Sequence, residues 1–467
     1  MEIYDVVIVG AGPIGLATAI GLHSRGIENI LVIDQTRAFR QVGQVLDLLP
    51  NGLKALKYLD EQAYEAVKKT GNGFLNTQQS HDQKPAKTSP TWIYKNLQGQ
   101  LIRSIPLSFD HWLQNYGEGR VSIAWYDLQT ALRNILPPER VKANHRCLNV
   151  IDEPENNCVR IDCVSDQKIE ANPYAYWVEG DQNLDPTPQE LTTKSLRAKL
   201  IVAADGINST IRRVLYENSP YSDFARPEYS GFTAVSCREI TDVPPELQTK
   251  LAEKFFEDSP IVTISNDQTS SDPASLDEPR MMLFRRPGGL LGYILHLAVS
   301  LASLQEKSGS DLLDLAMQQL EKAGFPDVLR ELVRLSPPSN MQQRPYYIHH
   351  ATTSDTKPQP AWSKGRVVLV GDAAHGMPPF MAQGANQGFE DALAVTTLIT
   401  QIAETKTWDN QEAIATAFEK YENLRRPMMA YIQRATLTKF PHSSDAEWNK
   451  YGKQVYHRNF DQLMNMN

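Results

Sequence analysis

YDVVIVGAGPIGLATAIGLHSRGIENILVID, residues 4–34, joins two apolar strands through a glycine turn and a helix. The β-branched run Val6-Val7-Ile8-Val9 reads as a buried strand, and Ile30-Leu31-Val32-Ile33 reads as a second one ending on Asp34. Between them Gly10-Ala11-Gly12-Pro13-Ile14-Gly15 has the spacing of a dinucleotide-binding turn. Each glycine has a physical task. Gly10 takes the tight turn off the strand, Gly12 keeps side-chain atoms away from a pyrophosphate, and Gly15 lets the helix lie close on the strand. The helix N-terminus, with Pro13 and Ile14 in its first turn, supplies free amides and partial positive charge. Asp34 is placed to accept hydrogen bonds from both hydroxyls of an adenosine ribose. An ordinary α/β unit would need none of this in register, so the unit points to an ADP-containing cofactor. Gln35, Arg37 and Arg40 follow directly, and either guanidinium is placed to reach phosphate or adenine.

The chain has 467 residues, enough for two or more domains, with 41% hydrophobic and 22% charged residues. A net charge of −8 gives no electrostatic footprint for nucleic acid. The apolar runs are short and glycine-broken, which predicts no transmembrane segment. Glu2 and Asp5 stand where a secretion signal would be basic. Cys147, Cys158, Cys163 and Cys237 show no metal spacing, so no metal is expected and the thiols read as unpaired in a reducing, cytoplasmic compartment.

Farther along, residues 71–90 are polar and read as an excursion from the compact domain. Trp92 to Ile102 reads as a hairpin around Asn96–Gly99, and 126–136 as a helix. LIVAADGINSTIRRVL, residues 200–215, delivers Asp205-Gly206 from a strand to a helix. From 221 to 345 polar β segments and a helical pair replace the earlier pattern. GRVVLVGDAAHGMPPFMAQGANQGFEDALAV, residues 365–395, returns to nucleotide-fold character, and 410–435 reads as a long amphipathic helix.

Three separated motifs now fall in one order: Gly10-x-Gly12-x-x-Gly15, Asp205-Gly206-x-x-Ser209-x-x-Arg212, and Gly371-Asp372-Ala373-Ala374-His375. Together they resemble the signature set of the single-component FAD-dependent aromatic hydroxylases, the para-hydroxybenzoate hydroxylase-like flavoprotein monooxygenases. The PNGLKAL segment at 50–56 and the W-x-x-GRV approach at 362–367 are most similar to the salicylate hydroxylase and zeaxanthin epoxidase branch.

The resemblance implies an α/β fold: a Rossmann-like FAD-binding domain, a mixed-sheet α+β substrate domain and a C-terminal helical segment. The expected division is 1–220 and 346–400 for FAD, with 71–108 joining the substrate-side sheet, 221–345 for substrate, and 401–467 for the terminal helices. It implies FAD held also by Asp205, by Gly371 and Asp372 through a ribityl hydroxyl, and by the helix opening at Gly384, Ala385 and Asn386, whose amides favour the negative charge of reduced flavin. Asp205 followed by glycine is also the chemistry of a routine turn, but the matching Ser209 and Arg212 favour the functional reading. His375 in the GDAAH motif is read as loop structure rather than a catalytic base. Trp125 stands where many relatives carry a phosphate-contacting arginine.

The activity implied is NADH- or NADPH-driven monooxygenation of a small aromatic or isoprenoid-like substrate with O₂ through a C4a-hydroperoxyflavin, by a monomer or homodimer. No catalytic side chain is assigned. Met377, Pro378, Pro379, Phe380 and Met381 are placed either to wall the substrate pocket or to pack the core. Tyr229, Phe232, Phe284 and Tyr293 are candidates for the opposite wall. A reductase or halogenase on the same scaffold, or a non-catalytic flavin-binding protein, are the alternatives. The tryptophan-rich motif of the halogenases is absent.

Overall fold

A computed structural model describes residues 3–36, 44–78, 90–166, 191–266, 278–286, 289–352, 359–437 and 444–460. Arg37 and Arg40, the proline-bearing loop 181–190 and most of the polar piece 266–279 lie outside the described residues.

Two sheets organise the chain. The first orders Ser363–Lys364, Val367–Leu369, Leu191–Ala203, Ile3–Val9, Ile30–Ile33 and Val141–Lys142, with Arg146–Glu153 and Cys158–Asp166 added along the long Leu191–Ala203 strand. Ile3–Val9 pairs in parallel with Ile30–Ile33 on one side and Leu191–Ala203 on the other, and the latter pairs in parallel with Val367–Leu369. Parallel strands covered on both faces must be apolar throughout, and Val6 to Val9, Ile30 to Ile33 and Leu200 to Ala203 are all buried. Helices Pro13–Ser24 and Gly384–Glu404 pack together over this sheet, both of them buried along most of their length. Strands 6–9, 200–203 and 367–369 therefore end at one carboxyl edge, where open α/β sheets bind ligands. The glycine turn, Asp205 and Asp372 come off that edge.

The second sheet has seven strands, ordered Met341–Ile348, Glu228–Ile240, Leu291–Ala298, Arg280–Arg285, Ile261–Ser265, Thr91–Lys95 and Leu101–Pro106. The hairpin read at 92–102 forms, and its first strand joins Ile261–Ser265 in parallel. This sheet alternates as one covered on a single face by helices. Val235, Val262, Leu283, Tyr293 and Leu295 pack under helices Pro245–Leu251, Ser310–Lys322 and Asp327–Arg334. Their alternates, among them Arg280, Met282, Ile294 and His296, face the other way.

Residues 71–78 are not an excursion. They complete helix Glu61–Gln78, and a Cβ on Gly71 would stand 2.0 Å from the Val121 side chain. The rest of the expected excursion, 79–89, lies outside the described residues. The chain closes with helix Gln411–Thr436, which carries Pro427 inside it, and helix Asp445–Val455, opened by a capping box between Ser444 and Glu447.

Candidate functional site

At the N-terminal turn two of the three motif glycines leave no room for a side chain and one does. Gly10 has a φ of +109°, and a Cβ there would lie 2.3 Å from the Ala204 carbonyl oxygen. A Cβ on Gly15 would lie 1.9 Å from the Gly10 oxygen, whereas one on Gly12 would meet nothing within 4 Å. Gly12 is the N-cap of helix Pro13–Ser24, makes no side-chain cap, and opens onto free space. Pro13 occupies the first helical position, and Ile14 packs against Gly371 and Gly388, locking the first glycine turn to the third motif. Asp34 accepts from the Ala11 amide at 2.7 Å and the Thr36 amide at 2.7 Å, one on each oxygen, so its carboxylate is oriented across the turn with a lone pair left on each. Gln35 is exposed beside it.

Asp205 turns out to serve its own helix. One oxygen accepts from the Ser209 hydroxyl at 2.6 Å, the other from the amides of Thr210 and Ile211. Burial raises its pKa against the pull of those donors. Arg212, also buried, donates to the carbonyls of Phe224, Ala373 and Ala374, and so ties the second motif to the GDAAH turn.

Asp372 is the opposite case. It follows Gly371, which has a φ of +58°, and its carboxylate makes no hydrogen bond to protein among the described residues. Solvent reaches it, yet protein closes round it densely enough to raise its pKa through desolvation. It lies open to solvent beside densely packed neighbours. A Cβ on Gly384 would lie 3.9 Å from Asp372 Oδ1, which sets the start of helix Gly384–Glu404 beside the carboxylate. The amides of Gly384, Ala385 and Asn386 have no protein acceptor among the described residues, and the N-cap Gln383 provides no side-chain cap. The Asn386 side chain is spoken for elsewhere: Oδ1 accepts from Leu49 N at 2.8 Å while Nδ2 donates to Asp47 and Ala382 carbonyls. Only its backbone is available to a ligand.

Behind this turn lies a buried polar cluster. Asp391 accepts from the Gly371 amide at 2.9 Å, pairs with His375 Nε2 at 2.6 Å, and accepts from Arg425 Nε at 2.7 Å. Burial alone would raise the Asp391 pKa, but His375 and Arg425 hold it at about 2. His375 is thus occupied in holding the loop, and is not presented to a substrate.

Of the apolar set at 377–381, Phe380 reaches the second sheet. Its ring makes edge contacts with Phe232 at 5.5 Å, His296 at 5.1 Å and Tyr346 at 5.7 Å between centroids, and the Arg280 guanidinium lies over it at 5.7 Å. Tyr346 Oη and His296 Nδ1 are 3.3 Å apart. Burial and the Arg280 charge push the His296 pKa down to about 3, so the imidazole is neutral, and burial lowers Arg280 to about 10. Pro378 and Pro379 brace the turn that carries Phe380.

Several expected wall residues are elsewhere. Met381 is buried in a separate cluster with Leu49, Trp112, Ile432, Tyr451 and Tyr456. Tyr293 points to the helix-covered face, where its hydroxyl meets Ser336 at 2.9 Å, because odd positions of that strand face the core. Phe284 lies over Gly292, four residues along its strand from Arg280. Tyr229 has its hydroxyl bonded to Val299 O and its ring edge against Tyr347.

Sequence reading missed His296, Tyr346, Arg280 and Gln129. His296 alternates with Leu295 and Leu297, and Arg280 with Met281, a period-2 signal that would have found both and excluded Tyr293, whereas Tyr346, between Pro345 and Tyr347, carries no such mark. Gln129, one turn into helix Trp125–Arg133, donates to the Ala11 carbonyl at 2.7 Å and holds Oε1 buried without a partner among the described residues, so this helix meets the glycine turn through a neutral amide. Nothing in the sequence marked it.

A glycine turn open at Gly12, an oriented carboxylate at Asp34, a carboxylate at Asp372 with no hydrogen bond to protein among the described residues and a helix N-terminus with free amides at one sheet edge fit an extended dinucleotide that ends in an electron-accepting ring. With the aromatic and polar face of a second sheet closing over that end, the class defined is the FAD-dependent monooxygenase. The FAD binding domain model matches residues 3–75 and 326–436, and the chain is similar over most of its length to FAD-dependent aromatic monooxygenases. It is similar to the 3-amino-4-hydroxybenzoate 2-monooxygenase of Streptomyces cremeus, 24% identical across 92% of this chain and 85% of that one. The 6-hydroxynicotinate 3-monooxygenase of Bordetella bronchiseptica is likewise 24% identical, across 92% and 90%. Among solved structures, Klebsiella pneumoniae HpxO complexed with FAD and uric acid shares the fold with a TM-score of 0.59 and 15% identity, covering 99% of this chain and 95% of that chain. The protein is an FAD-binding enzyme, a monooxygenase. Among the described residues no helix is long and apolar enough to cross a membrane, and no group of three or more His, Cys, Asp or Glu could hold a metal.

Proposed function

We propose that the protein hydroxylates a small polar aromatic compound, using NADH or NADPH and O₂. FAD supplies the hydride acceptance and oxygen activation. In this reading Gly10, Gly12, Ile14 and Gly15 cradle the pyrophosphate, Asp34 takes the adenosine ribose, and Asp372 takes a ribityl hydroxyl. The amides of Gly384, Ala385 and Asn386 stabilise negative charge on the ring. Asp205 and Pro13 act by shaping the turns. Arg37 and Arg40 remain candidates for the phosphates or the adenine.

The observation that carries the substrate class is the face closing over the cleft. Phe380, Phe232 and Tyr346 offer aromatic edges, and His296 offers a neutral imidazole beside the Arg280 cation. Flat rings with a hydroxyl or acid group match both features. A purely aliphatic isoprenoid would offer those polar groups neither a hydrogen bond nor a charge. The two curated relatives above, by their names, act on a hydroxylated benzoate and a hydroxylated nicotinate. The chain's residues orient the ring and exclude water from the reacting end of the cleft.

Four buried cysteines, none in a disulfide, support a cytoplasmic setting. The enzyme is read as a monomer or homodimer. The test is a panel of hydroxylated aromatic acids, including 3-amino-4-hydroxybenzoate and 6-hydroxynicotinate, with isoprenoids as controls. A supporting result is an acid that accelerates NAD(P)H oxidation and leaves with one ¹⁸O from ¹⁸O₂. Flavin reduction with no label in any product would favour a reductase instead.

A further inference from the structure

The buried cluster behind the GDAAH turn contains a charge from an unexpected place. Glu390 Oε2 is shared by two guanidinium groups, Arg425 Nη1 at 2.5 Å and Arg458 Nη1. Arg425 rises from helix Gln411–Thr436, but Arg458 comes from the segment after the last helix, Asp445–Val455. Glu390, Asp391 and Arg425 are 0% exposed, and Arg458 is 13% exposed. Two carboxylates are therefore balanced by two guanidinium groups, with His375 alongside. Without Arg458, the buried charge of Glu390 would keep Arg425 as its one guanidinium partner, and Arg425 is shared with Asp391.

That charge would sit close to the candidate ring site. Glu390 lies six positions past Gly384, roughly 9 Å at 1.5 Å per residue. A hydrogen-bonded path covers the interval. Glu390 Oε1 accepts from Asn51 Nδ2 at 2.9 Å and Gln387 Nε2 at 3.0 Å. The same two amides donate to Oε1 of Gln383, the N-cap residue, at 3.0 and 2.9 Å. The free amides of Gly384, Ala385 and Asn386 follow immediately.

We infer that Arg458 is a positioning residue for flavin reduction: by neutralising Glu390 it preserves the positive potential of the helix N-terminus that receives the charge added to FAD. The inference rests on FAD lying at that N-terminus, as proposed above. Arg458 touches neither cofactor nor substrate and acts through Glu390 and the 383–387 turn.

The experiment measures the two-electron midpoint potential of FAD bound to the full-length holoenzyme, by equilibration with a reference dye, in four forms. Arg458→Gln should shift the potential to more negative values, and Arg458→Lys should keep it near the wild-type value. Glu390→Gln should shift it to more positive values. The double variant Glu390→Gln with Arg458→Gln, which loses the contact but restores the charge balance, should return toward wild type. A mere anchor for the C-terminal segment would lower the melting temperature in R458Q and in the double variant alike and move neither potential. Should R458Q fail to hold FAD, the E390Q and double variants decide between the two. Equal potentials in wild type and E390Q, or a double variant as displaced as R458Q, would overturn the inference. A wild-type protein that took no FAD would instead overturn the cofactor reading beneath it.

Discussion

His375 Nε2 lies 2.6 Å from Asp391 Oδ2, and the same carboxylate holds the Gly371 amide, so the one histidine of the GDAAH turn is consumed in fixing the turn's shape. A catalytic base would need that nitrogen free for substrate. His375→Gln is therefore expected to keep turnover within about tenfold of wild type, where loss of a general base costs about 10²–10⁴. Steady-state kinetics on flavin-replete protein, scaled to bound FAD, reads the difference.

Asp391 should be far less tolerant. Its replacement by asparagine leaves Arg425 and His375 short of a buried anion, at a cost of about 3 kcal/mol. Urea unfolding of the D391N apoprotein measures it. The pH dependence has a definite sign. A carboxyl held at about 2 in the folded chain, below its ordinary 3.8, stabilises the fold above 3.8, and that contribution is lost as pH falls from 3.8 toward 2. Wild type should accordingly lose stability across that window more steeply than D391N.

Asp372 works in the other direction. Burial raises its pKa, so its charge penalises the folded apoprotein above the folded pKa, and the penalty fades as pH drops to 3.8. With no protein partner to lose, the D372N apoprotein should melt at the same temperature as wild type or higher at pH 7, converging at pH 3.8. Its FAD dissociation constant should rise by about tenfold or more, a lost charge-assisted hydrogen bond being worth about 1.5–3 kcal/mol. Thermal melts without FAD and fluorescence titration with FAD check the two halves separately.

The glycine turn offers a matched pair. Gly12→Ala adds a Cβ that meets no protein atom within 4 Å, so the apoprotein should fold normally and bind FAD poorly. Gly15→Ala puts a Cβ 1.9 Å from the Gly10 oxygen and should destabilise the apoprotein itself. Circular dichroism melts of both apoproteins separate a cofactor effect from a folding effect.

On the facing sheet, Phe380→Ala removes the ring that meets Phe232, His296 and Tyr346. With an accepted substrate, kcat/KM should fall at least about tenfold, with more NAD(P)H consumed per product formed, as expected when misplacing a reactant by about an ångström. FAD content should be unchanged. Tyr293→Phe, on the covered face, should leave kcat/KM unchanged and cost about 1 kcal/mol for the lost Ser336 bond. Product yield per NAD(P)H oxidised is the deciding readout.

The parts of the site legible in the sequence are those where the backbone does the work. Gly10, Gly15 and Gly371 sit at positions that only glycine fits, and strands 6–9, 30–33 and 367–369 are apolar because both sheet faces are covered. The side chains of the facing sheet were less legible. An aromatic residue on a strand suits core or cleft equally, and Tyr293 and Phe232 differ only in the parity of their pairing. Asn386 and Asp205 carried the right motifs, but their polar groups were committed to neighbouring backbone that no local pattern reveals. Gln129 and Arg458 reach their partners across 118 and 68 positions of chain, beyond any short-range signal.

The account depends on distant segments, from Gly10 to Asn386, converging on a single FAD. Equilibrium titration of the full-length apoprotein with FAD, followed by flavin fluorescence, tests this most directly. One FAD per chain should bind, with affinity lost in G12A and weakened in D372N while both variants remain folded. Absence of binding at saturating FAD, or binding indifferent to both substitutions, would contradict it.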